Sequence, residues 1–69
     1  MMGAFSLPKL FVYVWYENGT KDCAARQDEL LPSEAQRFKE QMEQYRRMRV
    51  VKVTLADVKD RVYTTYEFV

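Results

Sequence analysis

The sequence predicts an α+β fold: an antiparallel β-sheet of about four strands in ββαββ order, with one amphipathic helix packed on one face. Three observations carry this reading. Residues 10–17 are β-branched or aromatic almost throughout and lead into Asn18-Gly19, a strong hairpin signal. Pro32-Ser33 opens a stretch in which apolar residues recur at steps of three and four. Two further strand-like runs, 50–55 and 61–69, are separated by turn-forming residues.

The 69 residues are read as one small domain, with 1–8 expected to be a flexible N-terminus. A chain this short buries a limited share of its surface, so its core is marginal unless something staples or covers it. Two Gly and two Pro argue against disorder, and an aromatic content of 14% supplies large rings for a small core.

The first hairpin is expected to turn through a two-residue type I′ loop at Asn18-Gly19, where both residues tolerate positive φ. That loop sets the register. Tyr16 then faces Lys21, Val14 faces Cys23 and Val12 faces Ala25. On the other side Trp15 faces Asp22, Tyr13 faces Ala24 and Phe11 faces Arg26. One face becomes aliphatic and small, with Leu10, Val12, Val14 and Tyr16 beside Cys23 and Ala25. The other carries Phe11, Tyr13 and Trp15, with Ala24 and Arg26. Cys23 reads in this register as a buried structural thiol.

The helix is expected to start at Ser33 as N-cap, with Gln36 as capping-box partner and Glu34 in the first turn, and to run to about Met48. Its apolar stripe is Ala35, Phe38, Met42 and Tyr45, with Met48 trailing. Glu43 and Arg47 form a favourable i,i+4 pair, and the basic end Arg46-Arg47-Met48-Arg49 suits the negative end of the helix dipole. In the last hairpin Val51, Val53 and Leu55 alternate with Val50, Lys52 and Thr54. The turn lies within 56–60, with Asp57 and Asp60 supplying its chemistry. Val62, Thr64, Tyr66 and Phe68 share one side of the final strand, and Arg61, Tyr63, Thr65 and Glu67 the other.

The chemistry is bounded mostly by what is missing. With no histidine and one cysteine, the sequence lacks Ser-His-Asp and Cys-His arrangements and the usual zinc ligands. Its two glycines lie far apart and form no phosphate loop. No catalytic residue, metal site or cofactor is therefore expected, no small-molecule substrate is expected, and the chain is read as a non-enzyme. One cysteine allows no intramolecular disulfide, which favours a reducing compartment. Lys9 interrupts the N-terminal stretch before any secretory pattern develops, and the apolar run 10–16 is too short to cross a bilayer. A cytoplasmic protein without a membrane partner is expected.

Function is then sought in binding. One helix covers one sheet face, which leaves the aromatic face as packing, as a homodimer interface or as an open site. The leading expectation is a protein-interaction module acting through that face as a homodimer or on another protein, an adaptor or inhibitor of the kind phages make. Its contact residues are Phe11, Tyr13, Trp15, Arg26 and Tyr63. The alternative is nucleic-acid binding, with the aromatics stacking bases and Arg46, Arg47, Arg49, Lys52 and Arg61 holding phosphates. A net charge of +1 weighs against it, because phosphate affinity needs concentrated positive charge.

Overall fold

The computed structural model describes residues 9–69, so the expected flexible segment 1–8 lies outside the described residues. The elements are β1 (Leu10–Tyr16), β2 (Lys21–Arg26), α1 (Pro32–Arg46), β3 (Val50–Asp57) and β4 (Val62–Glu67). The four strands form one antiparallel sheet in the order β2-β1-β3-β4. The ββαββ α+β architecture is thus as the sequence implies. The central strands β1 and β3 are each flanked on both edges by another strand, and their helix-side residues, Val12 and Val14 in β1 and Val53 and Leu55 in β3, are buried.

The helix covers the aliphatic face. Val12, Val14, Val50 and Val53 are fully buried there, together with Tyr16, Leu30, Ala35 and Leu55. Phe38, Met42, Met48, Tyr66 and Phe68 pack around that cluster. A polar clamp ties the helix end to the edge strand. Arg46 donates through Nε and Nη2 to the two carboxylate oxygens of Asp22 at 2.7 and 2.9 Å, and the Tyr16 hydroxyl donates to Asp22 at 2.7 Å. The arginine, followed by the tyrosine hydroxyl, holds the Asp22 carboxyl below the usual carboxylate range. Burial, followed by the Asp22 carboxylate, pushes the Tyr16 phenol up to about 12.

Several local expectations are corrected. The first hairpin turns through Glu17-Asn18-Gly19, not a two-residue loop. Tyr16 N–H donates to Thr20 O at 2.9 Å and Gly19 N–H to Tyr16 O at 3.0 Å, while Gly19 alone in this turn takes positive φ, at 89°. This is the three-residue loop closed by a left-handed glycine. The Asn18 carboxamide oxygen accepts from Thr20 N–H at 3.1 Å and from its hydroxyl at 2.7 Å, which fixes the turn. The extra loop residue slips the register, so Trp15 faces Lys21, Val14 faces Asp22 and Tyr13 faces Cys23. An irregularity opposite Val12/Tyr13 then absorbs Ala24, which restores Val12–Ala25 and Phe11–Arg26. Cys23 is consequently exposed on the edge strand, not a buried thiol.

The helix begins two residues earlier than expected. Leu31 is the N-cap, in extended geometry, with Pro32 as the first helical residue. Glu34, not Ser33, supplies the cap chemistry: its carboxylate accepts from Leu31 N–H at 2.9 Å. The helix ends at Arg46 because Arg47 turns left-handed at φ 55° and its N–H donates to Glu43 O at 2.7 Å. The Glu43 carboxylate accepts from Val50 N–H at 2.9 Å, which draws the following strand in. Tyr45, expected in the buried stripe, is 71% exposed, its ring beneath the Arg46 guanidinium at 5.2 Å. In β3 a register shift places Val50 opposite Tyr16 in the core, not beside Lys52 and Thr54. A second shift pairs Val62 with Ala56 and leaves Tyr63 without a partner in the ladder. The β3–β4 turn uses the expected aspartates: Asp57 Oδ1 accepts from Lys59 N–H at 2.8 Å and Arg61 N–H at 3.0 Å, and Asp60 takes φ 63°.

Candidate interaction face

The face away from the helix is organised by register into rows that cross all four strands. One row reads Lys21–Trp15–Lys52–Glu67, the next Cys23–Tyr13–Thr54–Thr65, and the third Arg26–Phe11–Ala56–Val62. Side chains in directly opposed pairs project to the same side, so these residues share one surface.

The rings are tied to the sheet beneath them. Trp15 Nε1 donates to Thr54 Oγ1 at 2.9 Å. Thr54 and Ala56 are only 2% and 3% exposed although no helix covers them; the aromatic side chains provide that cover. Phe11, Tyr13 and Trp15 are each half-buried, and the Phe11 and Tyr13 rings meet at 6.4 Å with a 53° tilt. The face is therefore a thin second layer in its own right, not a broad bare aromatic patch.

Two cations sit over it. Lys21 Nζ lies 4.8 Å from the centre of the Trp15 ring and 4.6 Å from that of Tyr13, and Lys52 Nζ lies 4.7 Å from Trp15. Each lysine stands directly opposite Trp15 on a flanking strand, so the aliphatic stems run along the indole and the ammonium groups rim it. Lys21 also meets the exposed Asp60 carboxylate at 3.4 Å, whereas Lys52 makes no ion pair among the described residues. Between Trp15, Tyr13, Lys21, Lys52, Asp60 and Val62 lies a cavity of about 360 Å³ with Thr54 and Ala56 in its lining.

Of the residues expected at a partner interface, Phe11, Tyr13 and Trp15 come together on this face, with exposed Arg26 opposite Phe11. Tyr63 does not join them. It bulges out of the ladder, and its hydroxyl reaches toward Asp57 Oδ2 at 3.5 Å, on the side of the sheet where Asp57 opposes Leu10. The residues expected at phosphates do not converge. Lys52 alone is on the aromatic face. Arg46 is bound to Asp22, Arg47 caps the helix, Arg49 lies just before β3 with its N–H 3.3 Å from the Glu17 carboxylate, and Arg61 pairs with Asp57 at 3.4 Å. Lys21 was not anticipated. As a charged residue just after a turn it looks like ordinary surface, and its meaning comes only from the register that sets it against Trp15.

A second, shallow concavity of about 530 Å³ lies between β2 and α1, lined by Cys23, Ala24, Gln41, Met42, Gln44 and Tyr45 and containing no charged side chain. Among the described residues no group of three or more His, Cys, Asp or Glu residues is placed to hold a metal ion, and no helix is long and apolar enough to cross a membrane. Comparison with protein-family models, with curated proteins and with solved structures gives no match to this chain.

Proposed function

We propose that this chain is a non-enzymatic protein-interaction module that docks a partner on the open face of its sheet, centred on Trp15. The row Lys21–Trp15–Lys52 carries the reading. An indole anchored by a hydrogen bond and flanked by two ammonium groups is a pre-organised contact. It offers apolar area at little conformational cost and polar groups at the edge, the combination found at the centres of protein interfaces.

A partner other than a second copy fits the charges better. On this face the cations Lys21, Lys52 and Arg26 outnumber the carboxylates Asp60 and Glu67, so two copies meeting face to face would bring together surfaces of the same net sign, which opposes association. Nucleic acid fits less well because the arginines expected to hold phosphates are spread over the helix end and the turns, several of them already paired.

A random peptide display library selected against the wild-type chain tests the reading. Trp15 is the only tryptophan, so its emission reports the face directly. Selected peptides are expected to shift that emission. Enrichment of peptides that bind without perturbing Trp15 would place the docking surface elsewhere.

A further inference from the structure

We infer that the partner segment docking on this face is acidic, presenting a carboxylate between Lys21 and Lys52 and an apolar side chain over Tyr13. The inference rests on the docking role proposed for the face and adds the chemistry of the occupant.

The charge distribution argues for it. Lys21 and Lys52 flank one indole from opposite strands, each ammonium within 5 Å of the same ring centre. Two cations so placed repel each other across the ring. The only carboxylate meeting either of them among the described residues is Asp60, which is 80% exposed and reaches Lys21 alone at 3.4 Å. An exposed contact of that length is weak and exchangeable. Lys52 has no carboxylate within ion-pair distance among the described residues, and Glu67, its neighbour across the ladder, forms no pair with it. Arg26 adds a third cation at the other end of the face, opposite Phe11. An incoming carboxylate would accept charge-assisted hydrogen bonds from both lysines and relieve their repulsion. The cavity beside them gives an apolar side chain a place over the buried Thr54–Ala56 strip.

The neighbouring groove between β2 and α1 has neither of these features: its lining is uncharged, and nothing in it selects one occupant over another.

The test uses defined probes and the full chain. The first is a nonapeptide of glutamates around one central phenylalanine. The second is the same peptide with glutamine for every glutamate, and the third is a short oligothymidylate. Trp15 emission and amide chemical shifts are followed on wild type and on the double variant Lys21→Glu/Lys52→Glu. Both lysines lie on the surface layer, so the double variant is expected to keep the wild-type melting curve to within a few degrees.

The acidic peptide is expected to shift Trp15 emission and to bind roughly tenfold or more tightly than its glutamine counterpart. The double variant is expected to abolish that preference. Equal binding of the two peptides would overturn the acidic inference while leaving the docking role standing. Acidic binding that survives in the double variant, or that shifts amides only near α1, would overturn both. A response to oligothymidylate alone would replace the protein partner with nucleic acid. An emission change on dilution without any probe would point to a second copy, and silence to all probes would also overturn the inference.

Discussion

The two faces of the sheet are built from alternate residues of the same strand, yet they do different work. On the helix side Val12, Val14 and Tyr16 lose nearly all contact with solvent and join a core closed by Leu30, Ala35 and Leu55. On the other side Phe11, Tyr13 and Trp15, larger residues, stay half-exposed and shelter only Thr54 and Ala56. The difference lies in what covers each face. A helix brings a second layer of side chains and excludes water. Rings and lysine stems can cover the sheet one side chain deep and no further. A domain of this size can close one face completely and must finish the other with what the strands themselves carry.

The comparison is broken most directly by truncating each face in turn. Leu55→Ala removes a 2%-exposed side chain from the covered core and is expected to cost about 2–4 kcal/mol, read from urea unfolding. For a small domain that is a large share of the total stability. Trp15→Ala is expected to cost less, about 1–3 kcal/mol, because the indole is half-exposed already and solvent can fill its place. Trp15→Phe should keep most of the cover and lose chiefly the bond to Thr54, about 1 kcal/mol. A Trp15→Ala penalty equal to that of Leu55→Ala would mean the open face is a second core.

How far these faces were legible in the sequence follows from the same contrast. Alternation along residues 10–16 sorts the aliphatic from the aromatic side chains correctly, because that pattern is local and has a period of two. Asn18-Gly19 marks the hairpin, but Gly19 serves a three-residue loop as well as a two-residue one, and the choice moves the partner of Trp15 from Asp22 to Lys21. The irregularity at Ala24 that restores the register depends on both strands at once and has no signature in either alone. The pairing of β1 with β3, which brings Lys52 to the indole, is a contact across the helix and the whole first hairpin. That Phe11, Tyr13 and Trp15 share one face is thus legible in the sequence. The placing of Lys21 beside Trp15 is not, because it exists only in the assembled rows. Tyr63, put by alternation on the same side as Thr65, is taken out of the ladder by a register shift.

The clamp Arg46–Asp22–Tyr16 belongs to the helix side and sharpens the comparison through pH. The Tyr16 phenol is raised from 10 to about 12, so its protonated form is favoured by folding. The stability it contributes is fully present below pH 10 and is lost as the pH rises through about 12. Tyr16→Phe removes the hydrogen bond to Asp22 and is expected to cost about 1 kcal/mol at neutral pH. It should also flatten the decline between pH 10 and 12 in thermal melts. A variant that declines as steeply as wild type would assign the alkaline loss to other groups. The Asp22 carboxyl, held below its ordinary value by Arg46 and the Tyr16 hydroxyl, works in the opposite direction: its contribution is present above the ordinary carboxylate range and fades in acid.

The smallest effect is expected at a position that belongs to neither face. Arg47 ends the helix in the left-handed region at φ 55°, ψ 39°, with its N–H bonded back to Glu43 O. An L-residue pays about 1 kcal/mol for that geometry, and glycine does not. The arginine side chain is exposed and makes no ion pair among the described residues, so little is lost by removing it. Glycine also loosens the unfolded chain, which returns part of the gain. Arg47→Gly is therefore expected to stabilise the domain by about 0.5 kcal/mol, seen as a small rise in the urea midpoint with an unchanged slope. It should leave Trp15 emission unchanged. A loss of stability instead would mean that the Arg47 side chain holds the helix end by contacts that matter more than its strained backbone.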